Sequence, residues 1–255
     1  MKAPRSSPSL VVSNLRKSYG GVVAVDDCSF AVEGGITCLI GPNGAGKSSV
    51  AAMISGEVPA DRGHVVFEGK PLTGPMHVRV RAGLVRTFQL PQELARMTVL
   101  ENLLVAAPDQ RGARFWTALA GPLVWGKQER EILAKAWELL TWCGLKEKGN
   151  DLAGSLSGGQ KKLLELARAL MCEPRLVLLD EPMAGVAPHL ADQLMSLIVG
   201  LRDRGLILLI IEHEMKRVER VSDAVVVMAA GTVLATGTFA EVRARPEVKA
   251  AYLGA

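Results

Sequence analysis

Apolar residues fall along this chain in two rhythms. Short continuous runs bounded by glycine or charge occur at 36–40 (ITCLI), 175–180 (RLVLLD), 206–211 (LILLII) and 224–230 (AVVVMAA). Such runs suit strands buried on both faces, as in a parallel sheet. Residues 9–40 carry strand-like runs broken by YGG and EGG, and GHVVFEG at 63–69 reads as a strand entering a turn. The other rhythm is helical. TVLENLLVAA (98–107) and KQEREILAKAWELLTWCGL (127–145) have helical spacing, and in the second Ile132, Leu133, Ala136, Leu139, Leu140 and Cys143 make one apolar stripe. A further helix after residue 158 repeats the pattern with Leu163, Leu164, Leu166, Ala167, Leu170 and Met171. Strands and helices alternate at both ends, with a mostly helical block from about 90 to 155. This predicts a parallel-sheet α/β core carrying a helical insertion. Segment 107–127, with Pro, Gly and Arg around FWTALAGPLVW, reads either as a loop with a short helix or as a contact patch.

Composition sharpens the class. With 49% hydrophobic residues in 255, there is material for a substantial core. No apolar run reaches the roughly 18 to 20 residues of a membrane helix. The net charge of +4 is too mild to indicate a nucleic-acid partner, and none is expected. Residues 1–8 are polar and Pro-rich; they are expected to be disordered and do not form a secretory signal. Cys28, Cys38, Cys143 and Cys172 have no C-x-x-C spacing and are expected to be buried free thiols of a reducing compartment.

The strand at 36–40 leads into GPNGAGKSS: Gly41, Pro42, Asn43, Gly44, Ala45, Gly46, Lys47, Ser48 and Ser49. Its first eight residues fit G-x-x-x-x-G-K-[ST] between a buried strand and a helix. The glycines let the backbone wrap an anion, and the amides from Gly44 to Ser49 point at it from the positive end of the helix. Lys47 is expected to reach the β- and γ-phosphates, and the Ser48 hydroxyl to ligate Mg²⁺. A nucleoside triphosphate is the ligand expected.

LVLLDE sets Asp180 and Glu181 at the C-terminal end of a buried strand, where ligands sit in parallel α/β sheets. Asp180 suits the Mg²⁺ shell and Glu181 the polarisation of an attacking water. His213 follows another buried strand; it reads as a structural hydrogen-bonding group or as a γ-phosphate sensor. Gln89, in RTFQLPQ, carries no signal alone; in the frame of these motifs it can contact the metal and the attacking water. Tyr19, before GG, is either a strand-face aromatic or a platform for a base. The stretch LSGGQ (156–160) directly precedes the helix KKLLELARALM. Locally it is a Gly-rich turn, and at a helix N-terminus it is also a second anion site.

Tyr19, GPNGAGKSS, Gln89, LSGGQ, LVLLDE and IEH occur in the order and at the spacings of ATP-binding cassette ATPases, which the chain resembles over about residues 9 to 254. The resemblance implies a P-loop NTPase (RecA-like) α/β core with a mostly parallel sheet, an N-terminal antiparallel β subdomain and an inserted helical subdomain. Its boundaries would be a single domain over 9–255, with 9–88 and about 172–255 as core and about 89–171 as the insertion. It implies ATP and Mg²⁺ as cofactors, with Ser48, Gln89 and Asp180 about the metal. Glu181 would be the general base, His213 the switch histidine, Gln89 the Q-loop residue and Tyr19 the base platform. Ser157, Gly158, Gly159 and Gln160 would bind, in trans, the γ-phosphate held by a partner's Lys47.

The stretches GLVRTFQLPQELARMTVLENLLVAA and LLIIEHEMKRVERVSDAVVVMAAGTVLATGTFAEVRARPEVKAAYLG resemble the ATP-binding subunits of branched-chain amino acid importers. The partners implied are membrane permeases, a second ATPase subunit (this chain or a paralogue), and an extracytoplasmic solute-binding protein in the complex without direct contact. The implied location is cytoplasmic, peripheral on the inner face of the membrane. Urea or amide import and lipopolysaccharide export are alternatives, as is a soluble non-transport cassette ATPase. One departure from the family pattern is Ala187, where many cassettes carry Asp; Ser49 in place of Thr is a milder one.

Overall fold

The computed structural model describes residues 9–87, 93–110 and 122–253, and the chain divides into two compact units. The first comprises Met1–Arg86, Arg175–Pro182 and Ile198–Ala255; the second comprises Thr87–Pro174 and Met183–Leu197. The second unit therefore takes in residues 183–197 as well as the segment read as helical from sequence.

The first unit holds two sheets. Strands β1 (Leu10–Tyr19), β2 (Val22–Val32), β4 (Arg62–Phe67) and β5 (Lys70–Pro71) form an antiparallel sheet in the order β2-β1-β4-β5. The other sheet runs β10-β9-β3-β8-β7-β6, from β3 (Ile36–Ile40), β6 (Leu84–Arg86), β7 (Leu176–Asp180), β8 (Ile207–Ile211), β9 (Ala224–Ala229) and β10 (Thr232–Gly237). Its strands are parallel except for the edge pair β10–β9. The runs ITCLI, LVLLD and ILLII are buried at every residue, which is why they lack any polar alternation.

The helix Lys47–Ser55 touches β1 and β2 of one sheet and β6 and β7 of the other. Val50, Ala51, Met53 and Ile54 share one core with Leu10, Val12, Leu15 and Phe30 from the antiparallel strands and Leu39, Leu178, Leu209 and Val226 from the parallel ones. Beyond its first turn, from Val50 to Ile54, this helix is buried at every residue and wholly apolar, so it carries no polar stripe there. Three short helices complete the unit at its C-terminal end: Met215–Val221, Phe239–Ala244 and Pro246–Leu253.

The second unit is built on Val99–Ala106, Pro122–Trp142 and Gly158–Met171. Thr98 and Glu101 cap the first helix reciprocally. Ala136, Leu140 and Cys143 are fully buried at i, i+4, i+7, as the stripe predicts, but Leu133 is 39% exposed. The second helix begins at Pro122 rather than near Lys127. Proline suits the first turn, where its missing N–H has no partner to lose. Part of the ambiguous 107–127 segment lies outside the described residues. All four cysteines are free, with Cys172 half-buried and the others buried. Burial pushes the thiols of Cys28, Cys38 and Cys143 up to about 12, which disfavours their reactive thiolate form.

Candidate functional site

Parallel pairing brings three chain segments to one sheet edge. Leu39 of β3 and Asp180 of β7 both pair with Ile211 of β8, so Gly41, Glu181 and Glu212–His213 leave the sheet side by side. This is the carboxyl edge, where parallel α/β sheets bind ligands.

The loop after β3 is forced by two glycines. Gly41 has φ 155 and Gly46 φ 96. A Cβ on Gly41 would stand 2.2 Å from the Met228 carbonyl oxygen, and one on Gly46 would stand 2.4 Å from that of Ala24. Gly46 is the N-cap of the helix Lys47–Ser55 and offers no side-chain acceptor, and no acidic residue lies in the first turn. The helix's leading amides are thus left to an external anion. Asn43, Gly44 and Ser48 are exposed, and Pro42 and Ser49 half-buried, whereas Ala45 is buried and anchors the loop from within. The Ala45 amide donates to the Pro42 carbonyl at 3.2 Å, and the Gly231 amide donates to the Ala45 carbonyl at 3.2 Å.

Lys47 is only 7% exposed. Its Nζ donates to the Gly41 and Pro42 carbonyl oxygens at 2.8 and 2.9 Å, which holds the ammonium over the loop's mouth. Burial lowers its pKa, and the negative charges of Glu181 and Asp180 oppose that shift. The ammonium and both acids therefore belong to one electrostatic unit.

Asp180 is 4% exposed and accepts from Arg86 Nη2 at 2.8 Å. Glu181 follows with φ 45, a left-handed backbone that turns the chain sharply off the strand end, and its amide donates to the Ile211 carbonyl at 3.1 Å. Its Oε1 lies 3.5 Å from His213 Nδ1. His213 is about half exposed, whereas Glu212 beside it is 2% exposed. Glu212 Oε2 accepts from the His213 and Glu214 amides at 3.2 and 3.5 Å, which holds the turn carrying His213. The acceptor inventory fits Mg²⁺: a hard carboxylate in Asp180 and a hydroxyl in Ser48, with no cluster of three or more His, Cys, Asp or Glu among the described residues. That donor set suits an ion bound by one carboxylate and substrate phosphates rather than by a protein cage.

Tyr19 ends β1 at 46% exposure, paired with Val22 (69% exposed), and Lys17 Nζ lies 5.7 Å from its ring centroid. The ring is thus not part of a buried sheet face. Gln89 lies outside the described residues.

In the second unit, Ser157 is the N-cap of Gly158–Met171. Its Oγ accepts from the Gln160 amide at 3.3 Å, and Gln160 Oε1 accepts from the Ser157 amide at 2.9 Å, a reciprocal capping box. A Cβ on Gly159 would stand 2.4 Å from Leu190 Cδ1, so packing explains that glycine. Gly158 is exposed, has no positive φ, and a Cβ there would meet nothing within 4 Å. Nothing among the described residues requires glycine there. Ala187 is exposed, and its carbonyl accepts from the Leu190 and Ala191 amides as the next helix begins.

Two residues escaped the sequence reading. Arg86 looks like a surface charge beside an apolar run, and only the strand pairing of β6 with β7 places it on Asp180. Glu212 reads as one more acid next to a histidine, and its burial follows from β8 lying inside the sheet.

The sequence profile of the ABC transporter family matches residues 25–184, and that of the branched-chain amino acid ATP-binding cassette transporter C-terminus matches residues 232–255. The chain is 44% identical over 248 residues to "Probable branched-chain amino acid transport ATP-binding protein LivG" of Archaeoglobus fulgidus, covering 96% of this chain and 95% of that protein. It is 40% identical to the high-affinity branched-chain amino acid transport ATP-binding protein BraF of Pseudomonas aeruginosa, covering 98% and 99%. A crystal structure of a nucleotide-free ATP-binding cassette from an ABC transporter superposes with a TM-score of 0.84 at 37% identity, covering 98% of this chain and all of that one. A cassette in an ADP conformation superposes with a TM-score of 0.82 at 36% identity, over 98% of this chain and all of that one. Among the described residues, no helix is long and apolar enough to cross a membrane.

Proposed function

This chain belongs to the ABC transporter family and is an ATPase of it, and from that premise we propose that it drives an importer of branched-chain amino acids or related small solutes. The observation that carries the solute class is likeness at full length to proteins named for branched-chain amino acid transport, together with the C-terminal match over residues 232–255. Permease subunits in the membrane would supply the translocation path. The chain would sit on their cytoplasmic face, with a solute-binding protein on the far side that it does not touch.

The catalytic reading follows the sheet edge. The loop Gly41–Ser49 binds the phosphates, with Lys47 exchanging its carbonyl acceptors for phosphate oxygens. Tyr19 stacks on the base. Ser48 and Asp180, with Gln89, would hold Mg²⁺, whose charge would offset that of the phosphates. Glu181, aimed by its left-handed backbone, accepts a proton from the attacking water. His213 steadies Glu181 and the terminal phosphate.

Gly158 supports a second, partner-supplied half of the site. An exposed helix N-terminus with an unneeded glycine suits close approach by a nucleotide held on another subunit's Lys47, with Ser157, Gly159 and Gln160 alongside. Closure of two such subunits would couple hydrolysis to permease movement. The test is reconstitution with cognate permeases and binding protein in liposomes. Leucine, isoleucine or valine should stimulate ATP turnover several-fold. Stimulation by urea or short amides alone would redirect the solute assignment.

A further inference from the structure

Arg86 ends β6 with its guanidinium enclosed, its side chain 7% exposed. Nη2 donates to Asp180 Oδ2 at 2.8 Å; Nη1 donates to Glu57 Oε2 at 2.5 Å and to Ser55 Oγ at 3.4 Å. The Asp180 side chain is 5% exposed and that of Glu57 is 44% exposed. One cation thus spans a deeply buried carboxylate and a half-exposed one. A buried carboxylate is stable as an anion only with a counter-charge and hydrogen bonds, and Arg86 supplies both to Asp180.

We propose that Arg86 is a positioning residue that serves Asp180 as a resident counter-ion, yielding the carboxylate to Mg²⁺ when the metal–nucleotide complex binds, and that Glu57 sets how readily it yields. The inference rests on the reading of Asp180 as a metal ligand. Both cations are drawn to the same buried carboxylate, whose Oδ2 Arg86 already holds, so their attractions for Asp180 compete. The planar, weakly hydrated guanidinium can engage two carboxylates at once, which an ammonium cannot do with the same geometry. Glu57 is the second acceptor towards which Arg86 leans as Asp180 turns to the metal. The exchange leaves Asp180 facing a cation at every stage.

The experiment measures the affinity of a fluorescent ATP analogue across a Mg²⁺ titration, with thermal unfolding of each variant with and without Mg–ATP. Arg86→Gln should lower the half-effective Mg²⁺ concentration about tenfold, because a nearby competing charge is gone. It should also lower the metal-free unfolding temperature, with Mg–ATP restoring more stability than it adds to the unaltered protein. Glu57→Gln, at a half-exposed site that tolerates the change, should raise the half-effective concentration about threefold. Combined with Arg86→Gln it should add nothing further, because Glu57 acts through Arg86. Arg86→Lys should fall between Arg86→Gln and the unaltered protein. Asp180→Asn separates the premise from the inference: if it leaves the Mg²⁺ dependence unchanged, the metal-ligand reading fails. If Asp180→Asn abolishes that dependence while the Arg86 and Glu57 variants bind Mg²⁺ as the unaltered protein does, the counter-ion role is overturned. An equal loss of stability with and without Mg–ATP in Arg86→Gln would also overturn it, reducing Arg86 to a packing role.

Discussion

His213 Nδ1 lies 3.5 Å from Glu181 Oε1, although the two residues belong to different strand ends. The parallel register of β7 on β8 brings the two residues to the same sheet edge, since Asp180 pairs with Ile211 and the Glu181 amide bonds the Ile211 carbonyl. A histidine set there can orient the carboxylate without being the base itself. His213→Ala should lower ATP turnover about a hundredfold, the usual size of a lost acid–base or orienting partner. Nucleotide affinity, measured by direct binding, should hardly change. Loss of both together would place His213 in ground-state binding instead.

Gly46 combines φ 96 with a Cβ position 2.4 Å from the Ala24 carbonyl oxygen. Gly46→Ala must strain the loop or push β2 away. It should cost at least about 2 kcal/mol of stability and weaken ATP binding, because the same turn aims the helix amides. Chemical denaturation with and without nucleotide measures both effects. A variant as stable as the unaltered protein would show that the loop relaxes freely.

Leu94 and Met97 lie on the second unit at 39% and 38% exposure. On the transporter reading, this surface would meet a permease. Leu94→Glu or Met97→Glu should therefore leave the basal ATPase intact while cutting solute uptake at least about tenfold, the size expected of a buried interface anchor. Proteoliposome uptake set beside ATP turnover is the check. Equal loss of both activities would count against a docking role.

Glu212 gives the protein a pH signature. Burial raises its pKa above the ordinary 4.5, while Arg217 and the His213 and Glu214 amides oppose the shift. Oε1 has no hydrogen-bond partner among the described residues, and Arg217 Nη1 stands 3.7 Å away. Above pH 4.5 the unfolded chain releases this proton while the folded chain still holds it. The contribution is therefore full below that pH and is lost as pH rises through the folded value. Glu212→Gln should be more stable than the unaltered protein at neutral pH, with the advantage shrinking towards pH 4.5. Unfolding midpoints across that range measure it, and a constant difference would contradict the assignment.

Much of the first unit was legible because its chemistry is written in consecutive residues. ITCLI before GPNGAGKSS, and LVLLD before Glu181, announce strand, turn and charge together, and both sit at the sheet edge where the spacing puts them. The helix Gly158–Met171 was equally plain from its apolar spacing, whereas the Ser157–Gln160 capping box emerged only from the structure. What escaped depends on residues far apart in sequence. Arg86 meets Asp180 only because β6 pairs with β7, and no local pattern distinguishes that arginine from a solvated one. Leu133 fits the helical stripe yet stays 39% exposed, because spacing locates a face but not what covers it. The early start at Pro122 was hidden by a stretch without regular periodicity.

The central claim, ATP hydrolysis with Glu181 as base, is tested most directly by Glu181→Gln. Turnover and equilibrium ATP binding should be measured on the same preparation. The account predicts turnover reduced at least about a hundredfold, with the dissociation constant for ATP within about threefold of the unaltered protein. Unchanged turnover would contradict it.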